Sequence, residues 1–265
     1  MLVTEAQVRS FVMPSHIVAT ETFTPLAHGT VLDAIESALG KSGLQLARND
    51  QGELERSFTI VDKGAKMYAT LPLTNHIDDE SQLMIGIVNS WNKSLSLRLG
   101  FGSRVFVCTN GCFFAEKVVG RKHTPNILRD LPDLLTMALA QTATYIEGQR
   151  KFFERLRTAT LTDKDVNDFV VRSAMDREVI TVGEIADVVA EWRTPRYEEF
   201  APRTAWSLHN AYTEVGKRVQ KTNGVLHAER MVRLTAMFAE TFAHDLSLTG
   251  TGNTASIIAA AQTLQ

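Results

Sequence analysis

The hydrophobic periodicity of the chain changes once along its length, and this change most constrains the fold. Between about residues 57 and 110, apolar and polar side chains alternate, as they do in β-strands with one buried face. The alternation is cleanest at Ser94–Leu99, where every second residue is leucine. After Pro132 the apolar residues recur at helical spacing instead. A sheet followed by helices predicts an α+β fold.

The alternating region predicts an antiparallel meander of about five strands packed on helices. The turn-forming pair Lys63-Gly64 lies between the first two strands and predicts a hairpin. Short connectors such as Gly100–Gly102 favour antiparallel neighbours over parallel crossovers. The predicted strands are Ser57–Asp62, Lys66–Leu73, Gln82–Ser90, Ser94–Leu99 and Arg104–Thr109.

Helices are predicted on both sides of the sheet. One spans about 31–41 and is ended by Gly40 and Gly43, and a long one begins with Pro132 at its first position and continues to Arg157. Further helices are predicted at 163–176, 182–193, 203–220 and 225–246, and Thr181 and Glu184 have the spacing of a capping box. This organisation predicts an N-terminal arm or edge element (1–30), an α+β core (31–157), a helical region packed on the core (158–246) and a flexible tail (247–265).

Composition excludes several classes of protein. The chain is 44% hydrophobic and 22% charged, which is ordinary for a globular protein. No apolar run approaches the roughly 20 residues that a membrane-spanning helix needs. Two cysteines are too few for a disulfide framework, and the first residues lack the basic-then-apolar order of a secretory signal. We therefore expect a protein of the cytoplasm.

The formal net charge of −2 conceals a strong segregation of charge. Residues 93–129 carry seven bases and one acid, or +6, whereas residues 1–92 carry −5 and residues 130–265 carry −3. Cations beside aromatic rings are typical of a groove that binds single-stranded nucleic acid. The alternative is that these cations pair with acids and only solvate the surface. The candidate nucleic-acid-binding residues are Arg98, Arg104, Lys117, Arg121 and Lys122 for phosphates, with Phe113 or Trp91 for base stacking.

Two other groups of residues indicate a metal less strongly. Cys108 and Cys112 with His123 form an incomplete zinc pattern, because a structural site has four ligands. The acidic group Asp78, Asp79 and Glu80, which follows His76, has the ligand types of a divalent-metal site but also those of a solvated hairpin turn. We predict no metal, no cofactor and no catalytic residues.

Several segments together resemble a known family. They are Asn89-Ser90, Leu97–Gly100, Arg104–Gly111 and Arg121–Thr124, followed by a later helical segment from Thr204 to Glu214 that contains Trp206, Asn210 and Thr213. This order is similar to that of the phage- and plasmid-associated domain of unknown function 932, over about residues 30–245. Members often have His-Asp-Gly after Asn-Ser, where this chain has Trp91-Asn92-Lys93. We expect structural roles for Asn210 and Thr213, which share a helix face with Trp206.

The resemblance implies a protein encoded by a phage, prophage or plasmid, acting in the cytoplasm of a bacterial host among replication and recombination genes. It brings no established reaction. Our hypothesis is an accessory protein that binds nucleic acid, with single-stranded DNA favoured. Annealing of single strands is the activity that we expect from it, since the predicted core resembles that of phage annealing proteins. Homo-oligomerisation stays open. One alternative is a metal-dependent nuclease or hydrolase that uses Asp78, Asp79, Glu80 and His123, and another is a non-catalytic protein that binds a host factor.

Overall fold

A computed structural model of the chain describes residues 2–105, 111–112 and 119–243. The residues divide into two compact units, which we describe separately. Unit 1 comprises Met1–His76, Gln82–Gly102 and Lys117–Ala143. Unit 2 comprises Ile77–Ser81, Ser103–Glu116 and Thr144–Gln265. The predicted tail at 247–265 lies outside the described residues.

A seven-stranded sheet confirms the predicted antiparallel meander, and most of it belongs to unit 1. Its strands follow one another in chain order from β1 to β6, and β7 pairs with β5. The first strand, β1, supplies the predicted edge element by pairing with β2. The strands are β1 (Leu2–Val3), β2 (Ser57–Val61), β3 (Lys66–Asp78), β4 (Ser81–Ser90), β5 (Leu97–Val105), β6 (Gly111–Cys112) and β7 (Val119–Arg121).

The predicted hairpin around Lys63-Gly64 is present between β2 and β3, with Val61 opposite Lys66. Lys63 and Gly64 both have positive φ, of 52° and 98°. The positive φ of Gly64 favours glycine at this position, and so does the space around it. A Cβ atom there would lie 2.8 Å from the ring of Phe11, which is closer than a carbon contact allows.

The predicted strands Ser94–Leu99 and Arg104–Thr109 are wrong as two separate elements. A single strand, β5, runs through Gly100–Gly102, because glycine also adopts extended backbone and Phe101 continues the buried alternation of Leu97 and Leu99. Residues 94–96 precede the strand in a turn. The amide N–H of Ser94 donates to Asn92 Oδ1 at 3.2 Å, and that of Leu95 donates to Ser90 Oγ at 3.0 Å.

Three helices belong to unit 1: α1 (Glu5–Ser10), α2 (His28–Ser42) and α3 (Ile127–Leu139). The predicted helix at 31–41 is therefore confirmed and slightly longer, and it ends at Gly43 with φ 72°. Helices α2 and α3 pack together on one face of the sheet. Apolar side chains from both helices and from β4 and β5 surround a void of only about 10 Å³, so this side of the sheet is closely packed.

The predicted long helix from Pro132 to Arg157 is wrong, because two helices occupy this region. Helix α3 begins before Pro132, which lies in its interior, and α4 spans Thr142–Thr158. The junction is a tight turn in which the amide of Gln141 donates to the carbonyl of Ala138 at 3.2 Å. The Thr142 hydroxyl then donates to the carbonyl of Leu139 at 2.6 Å and satisfies one acceptor at the end of α3.

Unit 2 is helical and contains most of α4, with α5 (Asp163–Met175), α6 (Ile185–Arg193), α7 (Ala205–Thr222) and α8 (Gly224–Phe242). These helices confirm the helical C-terminal half, with ends that differ by a few residues. The predicted capping box is present, since Thr181 and Glu184 bond each other's backbone at a short 3₁₀ turn before α6. Among the described helices, none combines the length and the hydropathy needed to cross a bilayer.

Candidate nucleic-acid interface

A buried hydrogen bond joins the end of β4 to the segment that follows β7. Asn89 Oδ1 accepts from His123 Nε2 at 2.9 Å, and both side chains are buried. Asn89 lies four positions before Lys93, and His123 immediately follows Lys122. The bond therefore holds the segment bearing Lys93, one of the seven bases of residues 93–129, beside the segment bearing the candidate Lys122, although 34 residues separate its partners in the chain.

His28, the first residue of α2, extends this contact into a network. Its Nε2 lies 2.8 Å from the carbonyl oxygen of Gly64, which accepts only, so Nε2 carries the proton. Its Nδ1 therefore accepts from Asn89 Nδ2 at 2.9 Å, and the same amide nitrogen donates to the carbonyl of Leu26 at 3.1 Å. This orientation of the Asn89 amide requires His123 Nε2 to be the donor of the bond to Oδ1.

Burial disfavours the charged form of both histidines in the network. Burial lowers the pKa of His28, and the bond to Gly64 opposes this only in part. Burial also lowers the pKa of His123. Both rings are buried, and their hydrogen bonds hold the three segments of the network in place.

Trp91 closes the network on one side. Its ring stacks on that of His28 with centroids 4.5 Å apart, and the residue is only 2% exposed. The prediction that Trp91 stacks on nucleic-acid bases is therefore corrected, because a base has no access to this ring. A tryptophan in a polar loop has no local signal of burial, since the partner that covers it comes from α2.

Phe23 connects the network to Lys93. The Phe23 ring lies 5.8 Å from the His123 ring, and Lys93 Nζ lies 4.8 Å from the centroid of Phe23. The amide of Thr24 donates to the His123 carbonyl at 2.8 Å. The exposed Lys93 ammonium is thus held by a cation–π contact over the buried cluster. The sequence did not predict the roles of Phe23 and His28, because neither residue belongs to a motif that indicates a contact with residues 89–123.

The predicted basic residues of unit 1 do not all share one face. In the ladder between β5 and β7, Arg98 lies opposite Gly120 and Leu97 lies opposite Arg121. Cross-strand partners share a face, so Arg98 and Arg121 project from opposite faces of the sheet. Gly120, the cross-strand partner of Arg98, lies on the same face as Arg98. A Cβ atom added at Gly120 would have no neighbour within 4 Å, so this face is open at Gly120.

Arg121 and Lys122 differ in their partners. Arg121 forms an ion pair with Asp130 at 2.5 Å, and Arg129 bonds the other oxygen of the same carboxylate at 3.0 Å. These two cations hold the pKa of Asp130 below its usual value. Lys122 is exposed and lies just beyond the end of β7.

The other candidates fall elsewhere. Arg104 belongs to unit 2, and nothing places it in the same site as the unit 1 cations. Lys117 and Phe113 lie outside the described residues, as does Cys108. Arg98 donates to Ser96 Oγ at 3.3 Å and is half-buried.

Two of the acidic residues in the metal hypothesis, Asp78 and Glu80, form ion pairs with Arg157. Arg157 bonds Asp78 through Nη1 and Glu80 through Nη2, both at 2.9 Å, and its guanidinium lies 4.7 Å from the Trp206 ring centroid. Asp78 also accepts from the Ser81 hydroxyl at 2.6 Å. Within the described part of the chain, no three histidine, cysteine or acidic side chains form a group suited to a metal ion.

Asn210 and Thr213 have the structural roles expected of them. Both residues are buried on α7. The side-chain amide of Asn210 donates to the carbonyl of Trp206 at 2.9 Å, and the hydroxyl of Thr213 donates to the carbonyl of Asn210 at 2.9 Å. These bonds satisfy the polar side chains locally.

The fold is that of an α+β protein, and the buried network of Asn89, His28 and His123 joins the end of β4 to the start of α2 and to the segment after β7. The chain belongs to the family named Domain of unknown function (DUF932), whose model matches residues 15–238. Asn89 and His123 both come from the segments that carried the resemblance. Neither the curated proteins nor the solved structures contain a match to the chain.

Proposed function

We propose that unit 1 binds single-stranded nucleic acid, with Lys93 and Lys122 contacting phosphates and with either Arg98 or Arg121, which project from opposite faces of the sheet, as a third contact. The observation that carries the proposal is the Asn89–His123 hydrogen bond, which holds the segments bearing Lys93 and Lys122 together. A cation held in place loses less side-chain entropy on binding than a free one. The buried network thus supports the backbone of the two segments that bear the exposed lysines.

The state of these two lysines supports the proposal. Within the described residues neither Lys93 nor Lys122 forms an ion pair, whereas most arginines of unit 1 do. Arg121 shares Asp130 with Arg129, so a phosphate competes with one carboxylate for two guanidinium groups. Phosphate contacts of this kind fix a nucleic acid without reading its sequence.

The finer parts of the proposal rest on the sequence and on the resemblance. Single-stranded DNA is the favoured partner, Phe113 is the aromatic residue proposed to stack on bases, and Arg104 and Lys117 are proposed to extend the phosphate contacts. We place the protein in the cytoplasm of a bacterial host as an accessory factor in phage or plasmid replication or recombination. Self-association into a homo-oligomer is part of the same proposal.

The experiment is a titration of fluorescently labelled single-stranded DNA, single-stranded RNA and duplex DNA with the full chain at about 50 mM salt. Saturable binding that is strongest for single-stranded DNA supports the proposal. With three phosphate contacts, raising the salt fourfold weakens single-strand binding by about 18-fold, since each contact contributes roughly 0.7 to the logarithmic salt slope. No binding to any of the three nucleic acids would overturn it.

A further inference from the structure

Unit 2 contains a groove between α6 and α7 that the proposed function does not use. It encloses about 810 Å³, within the range of small-molecule binding sites. Small apolar side chains form its floor, and charged side chains surround it. The floor consists of Ala186, Val189, Ala190 and Val215, and the charged lining consists of Asp187, Glu191, Arg193, Arg196, Glu214, Lys217 and Arg218.

Arg196 is held rigidly at the groove although its side chain is 62% exposed. Its Nη1 bonds Glu214 Oε1 at 2.8 Å and its Nε lies 3.3 Å from Glu191 Oε2, while its own amide donates to Glu191 Oε1 at 3.0 Å. The two carboxylates are buried, with side chains only 6% and 12% exposed. Lys217 bonds the second oxygen of Glu214. Two desolvated carboxylates thus orient one exposed guanidinium group.

Two further arginines line the groove and remain accessible. Arg218 bonds Asp187 through Nη1 at 2.7 Å, and its side chain is 69% exposed. Arg193 reaches Asp163, outside the groove, at 3.4 Å. A guanidinium group has five N–H donors, so these bonds leave several donors of each arginine facing the groove or solvent. The groove lining carries four bases and three acids, for a net charge of +1, and Glu191 and Glu214 are paired with Arg196 and Lys217.

We propose that the α6–α7 groove binds a small, multiply charged anion of the phosphate class. The planar fork of an arginine bonds two phosphate oxygens at once, and Arg196 is already oriented for such a contact. The apolar floor accommodates the uncharged part of a ligand. A long nucleic-acid backbone fits less well, because the groove lining has no aromatic ring for stacking and carries Asp187 at its surface.

The test is calorimetric titration of the full chain with inorganic tripolyphosphate, with ATP and with an octaglutamate peptide. We expect saturable binding of tripolyphosphate, and tighter binding of ATP if the floor holds its nucleoside. Arg218→Gln should weaken binding about ten- to a hundredfold, because it removes a charge-assisted contact. Arg218→Lys should restore part of the loss. The matched control is Arg172→Gln, an exposed arginine on α5 outside the groove lining, which should leave affinity unchanged.

Arg196→Gln tests the central arginine, but it also leaves Glu191 and Glu214 without this partner and so affects folding. Arg218→Gln and Arg193→Gln leave both of these ion pairs in place and therefore test binding independently of folding. Absence of saturable binding, equal losses in Arg172→Gln and Arg218→Gln, or binding of octaglutamate without tripolyphosphate would each overturn the proposal. The double variant Lys93→Gln/Lys122→Gln should bind tripolyphosphate normally. Failure of nucleic-acid binding by unit 1 is therefore separable from failure of the groove.

Discussion

The rings of His28 and Trp91 stack face to face, with centroids 4.5 Å apart and planes inclined by 17°. His28 opens α2, and Trp91 follows the last residue of β4, so the contact fastens the start of the helix to the end of a strand. The stacked imidazole is also the one that bonds Asn89 and Gly64. This ring contact therefore helps to keep water away from the polar network. In contact with water, the network would exchange its internal hydrogen bonds for hydrogen bonds to solvent.

Replacing Trp91 by Ala should destabilise the protein by about 3–5 kcal/mol, because it removes a buried ring and opens the network to water. Urea unfolding followed by circular dichroism measures this free energy. Trp91→Phe keeps an aromatic surface against His28 and should recover much of it. A loss below about 1 kcal/mol in Trp91→Ala would mean that the ring is not packed as described.

Replacing Asn89 by Ala should cost about 3 kcal/mol or more in the free energy of unfolding. The change leaves His28 Nδ1, the carbonyl of Leu26 and His123 Nε2 without the partner that Asn89 provides, and each unsatisfied buried group costs about 1–3 kcal/mol. Asn126→Ala is the matched control, because this exposed amide makes no capping bond to α3. Similar unfolding midpoints for the two variants would contradict the network.

Stability should fall as the pH decreases through about 6.5. The pKa values of His28 and His123 are lowered by burial, and burial also lowers that of His209 in unit 2, to about 3. The folded pKa values lie below the unfolded value of about 6.5, so the unfolded state binds more protons and each histidine costs up to about 1.4 kcal/mol per pH unit below it. Above about pH 7 this contribution is constant.

Urea unfolding between about pH 7.5 and about pH 5 measures this dependence. His123→Gln keeps a donor for Asn89 but does not titrate, so its stability should depend less steeply on pH. Replacing the exposed His16 by Gln should leave the slope as it is in the unchanged protein. A slope that His123→Gln does not alter would show that His123 titrates normally in the folded state.

Local patterns in the sequence were sufficient for much of the fold. The hairpin at Lys63-Gly64, helix α2 and the capping box at Thr181 each depend on residues close together in the chain. The end of α3 was not predictable, because apolar residues continue at helical spacing past the tight turn at Gln141. Strand β5 was divided incorrectly because glycine is compatible with both a turn and an extended strand.

The candidate site was only partly predictable for a different reason. Local charge counting identified Lys93 and Lys122 as members of a basic segment, and the resemblance drew attention to Asn89 and His123. Their hydrogen bond depends on the pairing of distant strands, and the sequence alone does not state which side chains such pairing brings together. The burial of Trp91 follows from the same tertiary arrangement.

The salt dependence of single-stranded DNA binding by Lys93→Gln/Lys122→Gln tests the central claim most directly. The control is Lys41→Gln, an exposed lysine in the last turn of α2, roughly 20 Å along the helix from His28. We expect the double variant to lose two of the three phosphate contacts, so that a fourfold rise in salt weakens its binding about 2.6-fold instead of about 18-fold. Lys41→Gln should retain the steeper dependence. Identical salt slopes in the double variant, the control and the unchanged protein would contradict the assignment of the interface to these two segments.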